Sequence, residues 1–267
     1  MKPAAPVAAG RLGLLFLRVS VMNDLQYRAN FVFQLFQSLL AVGTGLAVLA
    51  LIFDQTNELG GWSATQLLVV MGIFTIMGGL IRSVIEPNMQ RLMTDVQKGT
   101  LDHVLTKPED PQLLISVRDI RIWNGVDVLT GLGVLGYALA RDPGALDVTD
   151  VLAGLIALIL GIITIYCFWL MLTTAAFWVV RLDETQELFE GIYRAGQYPV
   201  GIYPGWMRVG LTFLVPIAFA VTVPAEALTG RLDGWTLGLA ALFCLAIVVI
   251  SRALWKRGLR RYSGASA

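Results

Sequence analysis

Long apolar runs separated by short polar interruptions set the rhythm of this chain. A helix rising 1.5 Å per residue needs about 20 mainly apolar residues to cross a hydrocarbon layer of about 30 Å. Six runs meet that length: Phe31 to Phe53, Leu67 to Ile85, Ile122 to Ala140, Val151 to Val180, Val209 to Leu228 and Trp235 to Trp255. The fourth is long enough to tilt or to project beyond the bilayer. The fifth contains Pro216 and Pro224, so it is either kinked or partly re-entrant. The pattern predicts an all-α integral membrane protein with six transmembrane helices. It divides into an N-terminal segment (1–30), a membrane domain (31–255) and a basic tail (256–267).

Composition agrees with the pattern. Hydrophobic residues make up 56 % of the chain and charged ones 15 %, and a mean hydropathy of +0.70 is too high for a soluble domain. The net charge is +1 and no basic block tracks a phosphate backbone, so a nucleic-acid partner is not expected. Cys167 and Cys244 sit inside apolar runs without a C-x-x-C spacing, which points to packing. Arg18 interrupts the apolar stretch near the start and no small-residue cleavage site follows it, so that segment reads as retained rather than as a signal peptide.

Charge then gives the spans a direction, because short loops rich in Lys and Arg stay in the cytoplasm. With the N-terminus inside, all of the 20 Lys and Arg except Arg141 and Arg231 fall on cytoplasmic segments. Both termini are expected in the cytoplasm, and the outer loops are too short to hold a domain. Residues 11 to 28 form either an interfacial helix or a helical extension of the first span. Residues 182 to 194 read as a cytoplasmic amphipathic helix, with Leu182, Leu188, Phe189 and Ile192 near one face and Glu190 four residues before Arg194.

The segment between the second and third spans is the most sharply punctuated. Ile85, Met89, Leu92, Met93 and Val96 recur at helical spacing. Pro87 suits a first helical position, and Gly99 suits the residue beyond a helix end. Thr100 is placed to cap a second short turn carrying Asp102, Leu101, Val104 and Leu105, which Pro108 stops. Two readings remain. Both stripes cover the protein's own inner ends or the membrane surface, or they form a short helix parallel to the membrane that docks a cytoplasmic partner.

Lys98, Gly99, Thr100, Leu101, Asp102, Leu105, Lys107 and Pro108 resemble the Gly-Thr-Leu…Leu…Pro signature that follows the coupling helix in permease subunits of ABC type-2 exporters. Leu25, Tyr27 and Arg28 resemble that family's approach to its first span. The layout is similar over essentially the whole chain, most of all to permeases of about this length that work with a second permease and a separate ATPase. The resemblance implies the ABC type-2 transmembrane fold, with an N-terminal interfacial helix and a coupling helix at 86–106. It further implies a bacterial cytoplasmic membrane, export of an amphipathic molecule or lipid, and cytoplasmic ABC ATPase subunits docking on Met89, Leu92, Met93, Val96, Gly99, Thr100, Leu101, Asp102, Leu105, Lys107 and Pro108. ATP and Mg would be bound by the partner, and this chain is expected to need no cofactor and to catalyse nothing. The sequence agrees on one point, since it contains no G-x-x-x-x-G-K-[ST] loop to cradle phosphates.

Polar residues inside spans are the remaining candidates for chemistry. Arg82 and Asp127, with Asn124 alongside, either pair near the cytoplasmic end or line a water-filled entrance. Glu226 either guards an exit or snorkels to the surface. His103 has no partners at metal-ligand spacing and reads as an interface or solvent residue. The many glycines read as sites of close helix packing, and the aromatic group around Tyr166 and Trp169 as belt or packing residues. A stand-alone ion-coupled transporter working through Asp127 and Glu226 is the rival reading, although no internal repeat supports it.

Overall fold

The computed structural model describes residues 28–141, 147–178, 189 and 191–262. These form helices α1 (Arg28–Gln55), α2 (Ala64–Leu80), α3 (Glu86–Gln97), α4 (Asp102–Leu105), α5 (Pro111–Ser116), α6 (Gly125–Arg141), α7 (Val148–Thr174), α8 (Gly205–Leu214), α9 (Ala218–Ala227) and α10 (Gly234–Arg261), with no strand among the described residues. Five helical stretches are long and apolar enough to cross a membrane: Asn30–Gln55, Ala64–Gln97, Ile122–Arg141, Val148–Thr174 and Gly234–Arg261. Their outward faces carry exposed Phe33, Leu51, Leu152, Ile159, Leu242 and Val249. An apolar exterior of this extent is stable against lipid and not against water. The chain is a multi-pass membrane protein.

Side chains cap three of these helices at one end of the bundle. Ser63 and Gln66 form a capping box on α2, Asp147 and Asp150 form one on α7, and Asp233 accepts from Trp235 N–H at the start of α10. This is the loop end. The opposite end, where α3 to α5 gather, is the cap end.

Packing centres on α2, most of whose apolar side chains are buried. It lies antiparallel to α6 at backbone contact, and small residues make that possible. A methyl on Gly131 would stand 2.7 Å from Ile76 N, and one on Gly79 would stand 2.8 Å from Val128 N. Gly133, two positions on, has nothing within 4 Å of such a methyl, and the same holds for Gly43, Gly136, Gly234 and Gly238. The expectation of close packing therefore holds for some glycines only. Gly131→Ala is expected to cost about 1–3 kcal/mol by forcing the two backbones apart. Gly133→Ala should stay within about 0.5 kcal/mol or stabilise slightly. Thermal unfolding of both variants in detergent measures the difference.

Two expected elements differ. The second span and the helix after it are one continuous rod, Ala64–Gln97, so residues 86–97 continue that span rather than form a helix set apart from it. A π turn over Ile81–Ile85 joins the parts, and the carbonyls around it are taken up from outside the helix. Ser83 O accepts from Arg121 N–H at 2.8 Å, and Arg82 O accepts from Asn124 Nδ2 at 2.9 Å. Asn88, 1 % exposed, donates to Asp119 O and accepts from Asp119 N–H, which fastens residues 119–124 to the rod.

The expected fifth span is not one helix either. α8 and α9 are bent by 81° at Val215–Ile217, where Pro216 lacks an N–H and holds Val215 in an extended conformation. Both outer ends of the pair lie at the loop end. Arg208 donates to Gly201 O at 2.7 Å, Ile202 packs against Gly60, and Leu228 packs against Gly154. The bend rests beside Gly196, halfway down. The pair is one bent unit. In the chain between α7 and α8, Phe189 packs on Trp169 near the cap end, Tyr193 stacks on Phe74 of α2, and Ile202 reaches Gly60. Of the expected amphipathic helix over 182–194, Phe189 and 191–193 are helical, with Phe189 and Tyr193 buried against α7 and α2 and Ile192 exposed. Residues 182–188 and 190 fall outside the described residues, as do the N-terminal helix, Val179, Val180 and the end of the tail. Lys256, Arg257, Arg260 and Arg261 belong to α10 rather than to a separate tail.

Candidate functional site

Asp127, in the first turn of α6, is 5 % exposed and meets Arg82 of the π turn, 41 % exposed, at 2.8 Å between Oδ2 and Nη2. Arg82 Nε adds a contact at 3.3 Å, and Gln34 Nε2 of α1 donates to the same oxygen at 3.2 Å. Burial of a carboxylate at this depth is tolerated because a guanidinium and an amide surround it. One turn along, the Ser38 and Thr130 hydroxyls pair at 2.7 Å, so α1 is tied to α6 by polar contacts while its remaining surface faces outward. The two readings of Arg82 and Asp127 merge: they pair, and the pair lies in the wall of a cavity.

That cavity is a cleft of about 580 Å³ between α1, α2 and residues 193–198. Its polar wall includes Gln37, Thr44, Thr75, Arg82, Asp127 and Gln197, and Leu40 and Val48 line its α1 side. Arg194 also lines it, exposed and with no ion pair or hydrogen bond among the described residues. Counting from Ala64 at 1.5 Å per residue, Phe74 lies about 15 Å along α2. Tyr193 donates its hydroxyl to Phe74 O at 2.8 Å, which sets the next residue, Arg194, beside the middle of α2. Sequence reasoning assigned Arg194 to the cytoplasmic surface and missed this. The available signal was the polar and aromatic run Tyr193, Arg194, Gln197 and Tyr198, which suits a wet wall better than an amphipathic surface helix. On the other side of α1 a second cavity, about 640 Å³, is lined almost wholly by apolar residues such as Leu39, Leu46, Phe53 and Val134.

At the cap end the rod stops in a Schellman motif. Gly99 adopts φ 66°, its N–H bonds Val96 O, and Thr100 N–H bonds Asp95 O at 2.9 Å. The Thr100 hydroxyl donates to Asp95 Oδ1 at 2.9 Å and does not cap α4, whose N-cap position is Leu101. Asp95 also binds Arg118 at 2.9 Å. Met89, Leu92, Leu101 and Val104 are buried in the protein's own core, with Met93, Val96, Gly99, Asp102 and Leu105 half-buried. The face left open comprises Thr100, His103, Thr106, Lys107 and Pro108. Of the two readings of the apolar stripes, the inward one describes Met89, Leu92 and Leu101.

A polar cluster holds this tip to the bundle. Asp110 caps α5 by accepting from Gln112 N–H at 2.9 Å and forms an ion pair with Arg252 of α10, which also donates to Gln112. Ser116 bonds the Tyr166 hydroxyl of α7 at 2.6 Å. The hydrogen bond from Arg252 holds the Asp110 carboxyl below its ordinary value of 3.8, with burial opposing the shift. A carboxyl depressed in the folded state contributes stability that is present above its unfolded pKa and lost as pH falls through its folded one. The tether is therefore intact from neutral pH down to about pH 5 and is released only below pH 3.8. Amide exchange over 111–116, corrected for intrinsic rate, should be flat over that range in the wild type and faster throughout in Asp110→Asn.

Glu226 lies apart from all of this, half-buried in α9 at the loop end near Arg231. It lines neither of the two cavities described above.

Comparison with known families gives one finding. The model of the family described as ABC-2 family transporter protein matches residues 39–266, and so takes in most of the cleft, the cap end and the bent pair α8–α9. No curated protein and no solved structure gave a match.

Proposed function

The chain belongs to the ABC-2 family of transporter proteins, and from that premise we propose that it is the membrane-spanning subunit of an ATP-driven exporter. ATP is hydrolysed by separate cytoplasmic ATPase subunits, which bind ATP and Mg. The cap end faces the cytoplasm, in agreement with its share of Lys and Arg. Arg208 joins Arg141 and Arg231 outside, and Arg194 leaves the count. The chain crosses six times, the fifth crossing running through Phe189 to Ile202, and α8–α9 form an outer re-entrant hairpin. In a bacterial cell this places both termini at the cytoplasmic face of the inner membrane.

The carrying observation is the polar-walled cleft, with Arg82, Asp127 and Arg194, opening beside α1 in an otherwise apolar exterior. A cleft open on one side is half of a path, and a second permease, a copy or a relative, completes it. Its cargo is amphipathic, since the lining is polar on one wall and apolar on the other. The rod Ala64–Gln97 connects the cleft to the exposed tip around His103 and Lys107, so an ATPase pressing on the tip moves the cleft wall directly. The contact must differ between the two states of the transporter, because only a differential interaction shifts an equilibrium.

The test uses a single cysteine at Thr44, in a chain whose buried Cys167 and Cys244 are replaced by Ala. In native membranes, a water-soluble maleimide should label Thr44→Cys from the two sides in a ratio that ATP changes. Labelling indifferent to ATP overturns the reading.

A further inference from the structure

Arg194 is the group that the proposed function leaves without a task. It lines the cleft beside the middle of α2, exposed, on a segment held by the Tyr193 stack on Phe74 and by the bond from Tyr203 Oη to Ala195 O at 2.8 Å. A cation in a cleft between membrane-spanning helices is disfavoured unless an anion or water accompanies it. The one carboxylate in the described cleft wall, Asp127, is already engaged by Arg82 and Gln34. The wall thus carries two guanidinium groups against one carboxylate, and one positive charge is left facing the cleft. Gln37 and Gln197 add neutral amide donors around it.

Resting on the exporter reading, we propose that Arg194 binds the anionic group of the transported molecule, a phosphate, phosphodiester or carboxylate on an amphiphile. A guanidinium recognises such oxyanions through paired N–H donors, and weak hydration lets it do so in a partly dry site. The Arg82–Asp127 pair beside it is neutral overall, so a bound anion meets no net repulsion there. Leu40 and Val48, exposed on the α1 side of the same cleft, give an acyl chain an apolar surface leading out to the bilayer while the charge stays at Arg194. The arrangement selects against zwitterionic and cationic headgroups, whose positive end would face Arg194 and Arg82 together.

The same oxyanion chemistry could be offered by a lipid headgroup or by a soluble phosphate, and the test separates them. Purified full chain in a neutral detergent is titrated with phosphatidylglycerol bearing a fluorescent tail, and with phosphatidylcholine bearing the same tail. The expected result is at least tenfold tighter binding of phosphatidylglycerol, lost in Arg194→Gln and kept in Arg194→Lys. Arg260→Gln, at the exposed cap end, should leave the preference unchanged and so excludes general attraction to basic surface. Unlabelled glycerol phosphate that fails to displace the bound lipid assigns the site to lipids. Displacement assigns it to soluble anions and supports the same role for Arg194. Equal binding of the two lipids by wild type, or an undiminished preference in Arg194→Gln, overturns the proposal. Because the titration needs no ATPase, its failure is distinguishable from failure of the exporter reading.

Discussion

Leu101→Asp is expected to abolish folded protein rather than to detach a partner. Leu101 is fully buried between the end of the rod and the bundle, and the substitution places a carboxylate there with no cation to meet it. An uncompensated buried charge costs about 3–5 kcal/mol, and the lost leucine burial adds about 2 kcal/mol. The sum rivals the whole stability of an ordinary domain, about 5–15 kcal/mol. The cap end should therefore unfold, and size-exclusion profiles in detergent should show aggregate in place of a single peak. Leu101→Met, which keeps volume and polarity, should behave as wild type. A monodisperse Leu101→Asp with wild-type melting would mean that the cap is packed differently.

The second large effect is expected at the open tip. His103 and Lys107 are exposed, so replacing both by Glu should leave melting within about 0.5 kcal/mol of wild type. If the ATPase docks there, the same pair should lower its recovery with the chain on the order of tenfold, a loss of about 1.4 kcal/mol. Unaltered recovery with unaltered stability would move the docking surface elsewhere. The two substitutions together separate a residue that holds the cap from residues that offer it to a partner.

Sequence periodicity located the five helical stretches long and apolar enough to cross a membrane, because a run of about 20 apolar residues has few other stable fates. The run from Val209 to Leu228 satisfied the same rule and is not a single straight helix. Its length says nothing of direction, and at Pro216 the helix stops and bends by 81°. The segment through Tyr193 and Ile202, proposed above as the fifth crossing, is built from short 3₁₀ turns and aromatic stacking. It carries Arg194 and Gln197, and hydropathy alone passes over such a segment. The cap end shows a different limit. Helical spacing identified Met89, Leu92 and Leu101 as one stripe, and spacing is identical whether a stripe faces a partner or the protein's own core. Only burial distinguishes these, and burial depends on Asn88, Arg118 and Arg121 folding the chain back across the π turn. Arg82 and Asp127 were legible as a pair because charge at that depth demands one. Gln34, the third member, comes from another helix and has no local signature. The family resemblance rested on residues 98–108, on Leu25, Tyr27 and Arg28 and on the layout of the whole chain, and the family match covers residues 39–266.

The central claim is that this chain is moved by an ATPase it does not itself contain. Gentle detergent extraction of the tagged chain from its native membrane, with mass identification of every stoichiometric partner, tests it most directly. An ATPase subunit with a phosphate-binding loop, recovered with wild type and depleted in the His103→Glu, Lys107→Glu variant, is the predicted result. A stable chain purified alone, with no ATPase from a membrane in which its transport activity is intact, would contradict it.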